Sequence, residues 1–207
     1  HHILGIAPNM QNSLDTVTLL TTIFKWLPTT TLCKTARVSR AWRTLCSMPA
    51  LWKRVNLRQF RVNDWDACVD TLKKMQTEEL VLDRDSLEPV LCHITKLDSV
   101  KHVSLEVNPQ QLARVARTFH HLLSISALIS RRGTAEPQHP ASLGGLSELL
   151  CVAGLERLQL RGSHGLVISP LSKTPINLAQ RCQKLRVLTL VTVQNMSPEV
   201  VFHISLL

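Results

Sequence analysis

The side chains capable of chemistry are few in this sequence, and their spacing does not form a catalytic or metal site. Cys92-His93 and Ser163-His164 each place a nucleophile beside a base, but neighbouring side chains point to opposite sides of a strand. The sequence contains no Gly-x-Ser-x-Gly elbow, no glycine-rich phosphate loop followed by Lys and Ser or Thr, and no His-Glu-x-x-His pair. We therefore expect a non-catalytic protein that has no cofactor and no metal.

The cysteines also argue against a metal or redox site. They are Cys33, Cys46, Cys68, Cys92, Cys151 and Cys182. No two of them form the Cys-x-x-Cys pair that is typical of zinc modules and dithiol redox motifs. Because free cysteine packs as a small apolar residue, we expect reduced, buried thiols in an intracellular protein. We interpret the adjacent His120-His121 as a polar contact at the end of a helix.

The chain of 207 residues carries a formal net charge of +9, and the N-terminal part is the most basic. Residues 1–60 contain eight Lys and Arg but one acidic residue, whereas residues 61–106 contain six basic and ten acidic residues. A basic block is compatible with nucleic acid, an anionic membrane or an acidic protein as partner. No apolar run approaches the roughly 20 residues of a membrane span, so we expect no membrane span, and we also expect no secretion signal. We expect a fragment of a longer protein of the cytoplasm, the nucleus or both.

Three short helices are the first elements able to position a binding surface. Apolar residues recur at helical spacing from Leu14 to Leu27, and Pro28 ends this first helix. The hydroxyls of residues 29–31 are expected to cap a second helix over residues 32–36. A third stripe predicts a helix over residues 38–45. Because a unit of about 40 residues seldom buries such wide stripes alone, we expect a partner to cover part of them.

The order and spacing of these apolar residues resemble the F-box. The resemblance covers Leu14 to Trp52 and is carried by Leu19–Pro28, Leu32, Ala36–Trp42 and Pro49–Trp52. It implies a three-helix unit that docks the acidic SKP-type adaptor of SCF ubiquitin ligases and, through it, cullin. The adaptor-contacting residues that it implies are Leu19, Leu20, Ile23, Phe24, Leu27, Pro28, Leu32, Val38, Trp42, Leu51 and Trp52.

The rest of the chain repeats the pattern apolar-x-x-apolar-x-apolar. Successive copies are separated by 25, 23, 22, 33 and 30 residues, and leucine-rich repeats have periods of about 20 to 29 residues. Helical stripes fall between the copies at residues 65–72, 87–94, 112–119 and 146–153, so each unit is expected to form one strand and one helix. The predicted strand positions are Trp52/Val55/Leu57, Thr77/Leu80/Leu82, Val100/Val103/Leu105, Leu122/Ile125/Ala127, Leu155/Leu158/Leu160 and Leu185/Leu188/Leu190.

These patterns predict an α/β protein with a flank at residues 1–13, a three-helix F-box at 14–52 and leucine-rich repeats at 53–207. Leu155–Leu166 and Cys182–Leu188 resemble the cysteine-containing leucine-rich repeats that follow F-boxes. Residues 130–142 are rich in Gly, Pro, Ser and charge, and we expect them to form a flexible insertion. Parallel strands are expected to alternate with helices in a solenoid that is incomplete at its C-terminus.

Two functions fit these patterns. The resemblance implies a non-catalytic substrate receptor of an SCF ubiquitin ligase, which acts in ubiquitin-dependent protein degradation. The alternative is a basic nucleic-acid- or chromatin-associated repeat protein with a degenerate F-box. An aromatic content of 4% and the absence of tyrosine weigh against it, because few side chains are left to stack on bases. For the receptor, the candidate substrate-binding residues on the repeat strands are His102, Ser104, Arg157, Gln159, Arg161, Arg186 and Thr189.

Overall fold

The computed structural model describes residues 8–58, 60–93, 97–119, 121–130, 141–143, 152, 154–168 and 183–194. Within these residues an N-terminal helical unit is followed by a parallel sheet with helices between its strands. None of the described helices combines the length and the apolar composition that crossing a membrane requires. The architecture is therefore mixed, with helices first and alternating strands and helices afterwards.

Three helices and a 3-10 turn form the helical unit. The Ser39 side chain accepts a hydrogen bond from the Trp42 backbone N–H at 3.1 Å and so caps the third helix. This cap places Val38 outside the helix, although the sequence pattern included it. The elements are α1 (Pro8–Phe24), α2 (Thr29–Thr35), α3 (Arg40–Cys46) and the 3-10 turn (Pro49–Leu51).

The helical unit encloses a small core around one aromatic pair. The rings of Phe24 and Trp42 meet edge to face with their centroids 5.3 Å apart. Such a contact adds about 0.5–1.5 kcal/mol to the stabilisation from burial alone. Leu32 and Cys46 are buried beside this pair. The partly buried apolar residues around them are Leu20, Leu27, Ala36, Leu45, Leu51 and Trp52.

Two features at the ends of α1 and α2 differ from the prediction. α1 ends at Phe24 rather than at Leu27, because the N–H groups of Trp26 and Leu27 bond to carbonyls three residues earlier and form a turn. The predicted threonine cap of α2 is wrong, since Pro28 occupies the N-cap position and no side chain caps the helix. The Thr29 hydroxyl instead accepts a hydrogen bond from the Asn56 backbone N–H at 3.1 Å. This hydrogen bond ties the start of α2 to the sheet.

Within the described residues, seven parallel strands form one sheet. The order is β1-β2-β3-β4-β6-β7, and the short β5 pairs with the far end of β6. β4 pairs with residues 157–162 of β6 and β5 with residues 166–168, so these two strands share one edge of the longer strand. The strands are β1 (Arg54–Asn56), β2 (Glu79–Leu82), β3 (His102–Val107), β4 (Ser124–Ile129), β5 (Ala141–Leu143), β6 (Arg157–Ile168) and β7 (Val187–Gln194).

The predicted apolar positions stack across this sheet in a constant register. Their side chains are buried on β1, β2, β3, β4 and β6 and partly buried on β7. The strand positions predicted from the repeating pattern are therefore confirmed for these rows. One row consists of Val55, Leu80, Val103, Ile125, Leu158 and Leu188, and the next of Leu82, Leu105, Ala127, Leu160 and Leu190.

Three helices between the strands pack their predicted apolar stripes on the same core. Each begins at a residue whose side chain accepts a backbone N–H, namely Asp64, Asp83 and Asn108. A cap of this kind contributes about 1 kcal/mol to helix stability. The helices are α4 (Trp65–Lys74), α5 (Arg84–Cys92) and α6 (Pro109–Thr118).

Several predicted features fall outside the described residues. The fourth predicted helix, over residues 146–153, lies outside them except for Val152, which is buried. Ile94 of the second helical stripe also lies outside. Residues 131–140 of the predicted insertion also lie outside. The last residues predicted for the insertion are in β5, because their backbone pairs with the end of β6.

Shortening one side chain of the stacked rows should destabilise the sheet. Leu105→Ala should lower the free energy of unfolding by about 2–5 kcal/mol, because Leu105 is fully buried between β2 and β4. Leu105→Met keeps most of the volume and should cost less than about 1.5 kcal/mol. Urea unfolding followed by circular dichroism measures both, and an unchanged midpoint for the alanine variant would contradict the packing.

Candidate functional site

The helical unit exposes an apolar stripe along α1 and the turn after it. Leu19, Ile23 and Trp26 follow at i, i+4 and i+7, and their exposed fractions are 61%, 47% and 84%. We call these three residues the outer stripe. Among the described residues, every exposed large apolar side chain except Val187 belongs to residues 17–48. Exposed apolar side chains concentrated in one small unit make this stripe the candidate interaction surface.

The parallel stripe of Leu20, Phe24 and Leu27 faces the core of the helical unit. Phe24 and Leu32 are only 3% and 2% exposed, so both side chains lie in this core, and their contact with a partner stays a prediction. Trp26 was missing from the predicted contacts although it is strongly exposed. Its helical spacing from the other two residues of the outer stripe is the signal that identifies it. Among the other predicted contacts, Pro28 and Val38 are exposed and Trp42, Leu51 and Trp52 are partly buried.

Trp52 joins the helical unit to the sheet. Its ring packs against both apolar cores, and its indole N–H donates a hydrogen bond to the Cys46 carbonyl at 2.6 Å. The Trp52 carbonyl in turn accepts a hydrogen bond from the Thr77 hydroxyl at 2.9 Å. A second tie is the hydrogen bond between Asn56 and Thr29. Surfaces on the helical unit are therefore held in a fixed relation to the first strands of the sheet.

A groove lies where the helical unit meets β1, and we call it the junction groove. Its volume is about 710 Å³, and the outer-stripe residue Trp26 lines one part of it. Several predicted contacts also line it, namely Leu27, Pro28, Leu32 and Leu51. The junction groove is thus continuous with the outer stripe.

The predicted substrate-binding residues share one face of the sheet. His102 is in register with Ser124 on β4 and Arg157 on β6, and a groove of about 560 Å³, the sheet groove, lies there. Arg186 lines the same groove. In the next row, Ser104, Gln159 and Thr189 are in register, with Arg161 two residues beyond on β6. The fold therefore brings all seven predicted residues together on one surface.

Ion pairs neutralise the acidic residues at the β1 side of this surface. Lys53 Nζ lies 2.7 Å from Glu78 Oε1, and Arg54 Nε lies 3.2 Å from Glu79 Oε1. The hydrogen bond and charge of Lys53 hold the pKa of the Glu78 carboxyl below its usual range. On this face of the sheet, Arg157, Arg161 and Arg186 are exposed and form no ion pair with any described residue.

The cysteines and acidic residues give no chemical centre in the part of the chain that the structure describes. No group of three or more His, Cys, Asp or Glu residues there is placed to hold a metal ion. Burial raises the pKa of the Cys46 and Cys68 thiols, which keeps them protonated. Cys33 and Cys92 are exposed, so the expectation of buried thiols is wrong for these two. Cys151 and Cys182 lie outside the described residues.

Removing the partner of Glu78 should raise the pKa of this carboxyl. Lys53→Met should bring the Glu78 pKa back towards its usual range, because Lys53 is the main cause of its depression. Lys101→Met is the matched control and should have a smaller effect, since Lys101 acts through its charge alone. Carboxyl chemical shifts followed by NMR through an acid titration measure the pKa. An equal change of the Glu78 pKa in the two variants would contradict the ion-pair geometry.

The residues that carry the outer stripe match a known family. Residues 17–58 match the family model described as F-box-like, and this span also includes Trp52 and β1. No curated protein matches the chain significantly. F-box-like domains generally bind SKP-type adaptors, and F-box proteins are generally non-catalytic adaptors. The helical unit together with β1 is an F-box-like domain.

Proposed function

We propose that the chain is a substrate-recognition subunit of an SCF-type ubiquitin ligase. Its F-box-like domain docks the SKP-type adaptor, and through it cullin, while the sheet holds the protein to be ubiquitinated. The observation that carries this proposal is the outer stripe, which exposes three large apolar side chains on an F-box-like domain. The protein acts in the cytoplasm, the nucleus or both, in ubiquitin-dependent degradation.

The outer stripe suits the adaptor because its side chains are exposed, whereas those of the stripe formed by Leu20, Phe24 and Leu27 pack in the core. Leu19, Ile23 and Trp26 are exposed, so a partner can bury them without opening the core around Phe24. A large exposed aromatic ring such as that of Trp26 is a typical anchor of a protein interface. The short helices cannot bury this surface themselves, which supports a protein partner.

The sheet supports the second part of the proposal, that residues after the F-box form a leucine-rich-repeat solenoid. Each unit contributes one parallel strand, and the stacked apolar rows keep one register from β1 to β7. Helices α4, α5 and α6 fill the first three intervals. A solenoid of this kind presents its strand residues as one extended surface, which suits the capture of a protein.

The sheet groove and its neighbouring row are the proposed substrate-binding surface. His102, Arg157 and Arg186 line the groove, and Ser104, Gln159 and Thr189 lie in the next row. Arg161 extends this surface along β6. Arginines without an ion pair can form paired hydrogen bonds to carboxylate or phosphate groups, so we expect an acidic or phosphorylated segment in the substrate.

The mechanism is proximity rather than catalysis by this chain. The ligase subunits that carry activated ubiquitin supply the chemistry, and the receptor holds an acceptor lysine beside them. Joining the two binding surfaces in one chain raises the effective concentration of that lysine at the ubiquitin thioester. The ties at Trp52 and between Asn56 and Thr29 suit this role, because they fix one surface relative to the other.

Truncating the outer stripe should abolish adaptor binding without unfolding the chain. Leu19→Ala, Ile23→Ala and Trp26→Ala together should weaken binding about 100-fold or more, because truncated anchors each cost about 1–2 kcal/mol. Isothermal titration calorimetry with purified SKP-type adaptor measures this. The control is Val187→Ala, an exposed apolar residue on β7, which should bind as the wild type does.

The stability of each variant separates loss of binding from loss of fold. The outer-stripe variant should melt within a few degrees of the wild type, since its three side chains are exposed. A variant at Phe24 is unsuitable, because that ring belongs to the core. Wild-type affinity in the outer-stripe variant would refute the proposed docking surface.

A further inference from the structure

The junction groove is strongly basic. Lys25, Lys53, Arg54 and Arg58 line it, and none of the described residues that line it is acidic. The groove is wide, with a volume of about 710 Å³, and it combines this charge with an apolar wall that includes the 84% exposed ring of Trp26. A concave surface with cations beside apolar side chains suits an anionic segment that also carries apolar residues.

Two of the four cations have no acidic partner. Lys53 and Arg54 are paired with Glu78 and Glu79, whereas Lys25 and Arg58 form no ion pair with any residue that the structure describes. The free positive charge of the groove therefore resides on Lys25, at the end of α1, and on Arg58, just after β1.

Arg58 contributes a positive charge that no described carboxylate neutralises. Its Nε atom is buried and has no hydrogen-bond partner among the described residues. A buried donor without an acceptor costs free energy, and native proteins usually satisfy such groups. Arg58 lines the groove, so an anionic oxygen that enters it can neutralise the guanidinium.

The groove is continuous with the outer stripe. Trp26 is the last residue of the stripe and also lines the groove, and Leu27 follows it into the groove. A partner that covers Leu19, Ile23 and Trp26 therefore reaches Lys25 and Arg58 without leaving the surface of the domain.

We propose that the junction groove binds an acidic segment of the same adaptor that covers the outer stripe. Carboxylates of this segment bind Arg58 and Lys25, and its apolar residues pack on Trp26 and Leu27. This inference rests on the proposed function and extends it, since it brings Arg58 and the β1 side of the F-box-like domain into the interface. Binding should consequently weaken as salt concentration rises.

A polypeptide is favoured over nucleic acid by the composition of the groove. Trp26 is the one aromatic residue among those described in the lining, whereas single-stranded nucleic acid is typically held by several stacking rings. Leu27, Pro28 and Leu51 instead offer an aliphatic wall, which suits the side chains of a peptide.

Charge reversal in the groove tests the proposal. Lys25→Glu with Arg58→Glu should weaken binding of the purified adaptor about tenfold or more and reduce its dependence on salt. Arg37→Glu with Arg40→Glu is the matched control, because both arginines are exposed on the same domain and do not line the groove. Calorimetry at low and at moderate salt measures both variants of the 207-residue chain.

A neutral pair and a compensating change complete the test. Lys25→Gln with Arg58→Gln should show a smaller loss of adaptor affinity. This neutral variant is used in place of the charge-reversal variant if the charge-reversal variant melts at a much lower temperature than the wild type. Changing acidic residues of the adaptor segment to lysine should restore affinity for the glutamate variant but not for the control. Restored binding would establish the contact between opposite charges.

Three outcomes would overturn the inference, and each identifies a different part of the proposal as wrong. If the wild-type chain does not bind the adaptor, the proposed function fails and the groove assignment fails with it. If the wild type binds and the groove variant matches the Arg37/Arg40 control, the groove assignment alone fails. If a 20-nucleotide single strand binds the wild type and not the groove variant, while adaptor binding is equal in both, the groove belongs to nucleic acid.

Discussion

The structure depends on the way Trp52 is held between two apolar cores. From residue 15 onward, where the structure describes side-chain burial, the helical unit buries three apolar residues, Phe24, Leu32 and Cys46, which make a small core. Trp52 adds its ring to this core and also packs on the much larger core of the sheet. Its indole N–H satisfies the Cys46 carbonyl near the end of α3, and its own carbonyl accepts from Thr77. The F-box-like domain is therefore stabilised by the sheet that follows it.

Sequence periodicity predicted the sheet well because parallel strands in register impose a simple rule. Each repeat places its strand beside the previous one in the same register. Register partners such as Val103 and Ile125 must therefore occupy the same position in every repeat. β5 was not predicted, because its three residues pair with the far end of β6 and do not begin a new repeat. The cap of α2 was mispredicted for a related reason, since the Thr29 hydroxyl is used by Asn56 of the sheet, a contact far away in sequence.

The candidate site was predicted in outline but not in detail. Two apolar stripes run along α1 one residue apart, and helical spacing alone gives both equal weight. Tertiary packing decides between them, because the edge-to-face contact with Trp42 draws Phe24 inward and leaves Ile23 and Trp26 outside. On the sheet the alternation of strand residues was sufficient, and Arg157 and Gln159 lie on the predicted face. The junction groove could not be foreseen, since it requires the end of α1 and the residues after β1 to meet in space.

A receptor that works by proximity needs its two surfaces held at a constant separation, and the charges of this chain are arranged around the joint between them. Lys53 and Arg54 lie at this joint and form ion pairs with Glu78 and Glu79. Their positive charges are therefore neutralised within the protein. Lys25 and Arg58 lie nearby with no ion pair among the described residues, so their charge remains available to a partner. Under the proposed function, an adaptor that neutralises these two residues also contacts both sides of the joint. Adaptor binding would then add to the contacts at Trp52 and between Asn56 and Thr29 that already hold the two surfaces together, because a ligand stabilises the conformation to which it binds most tightly.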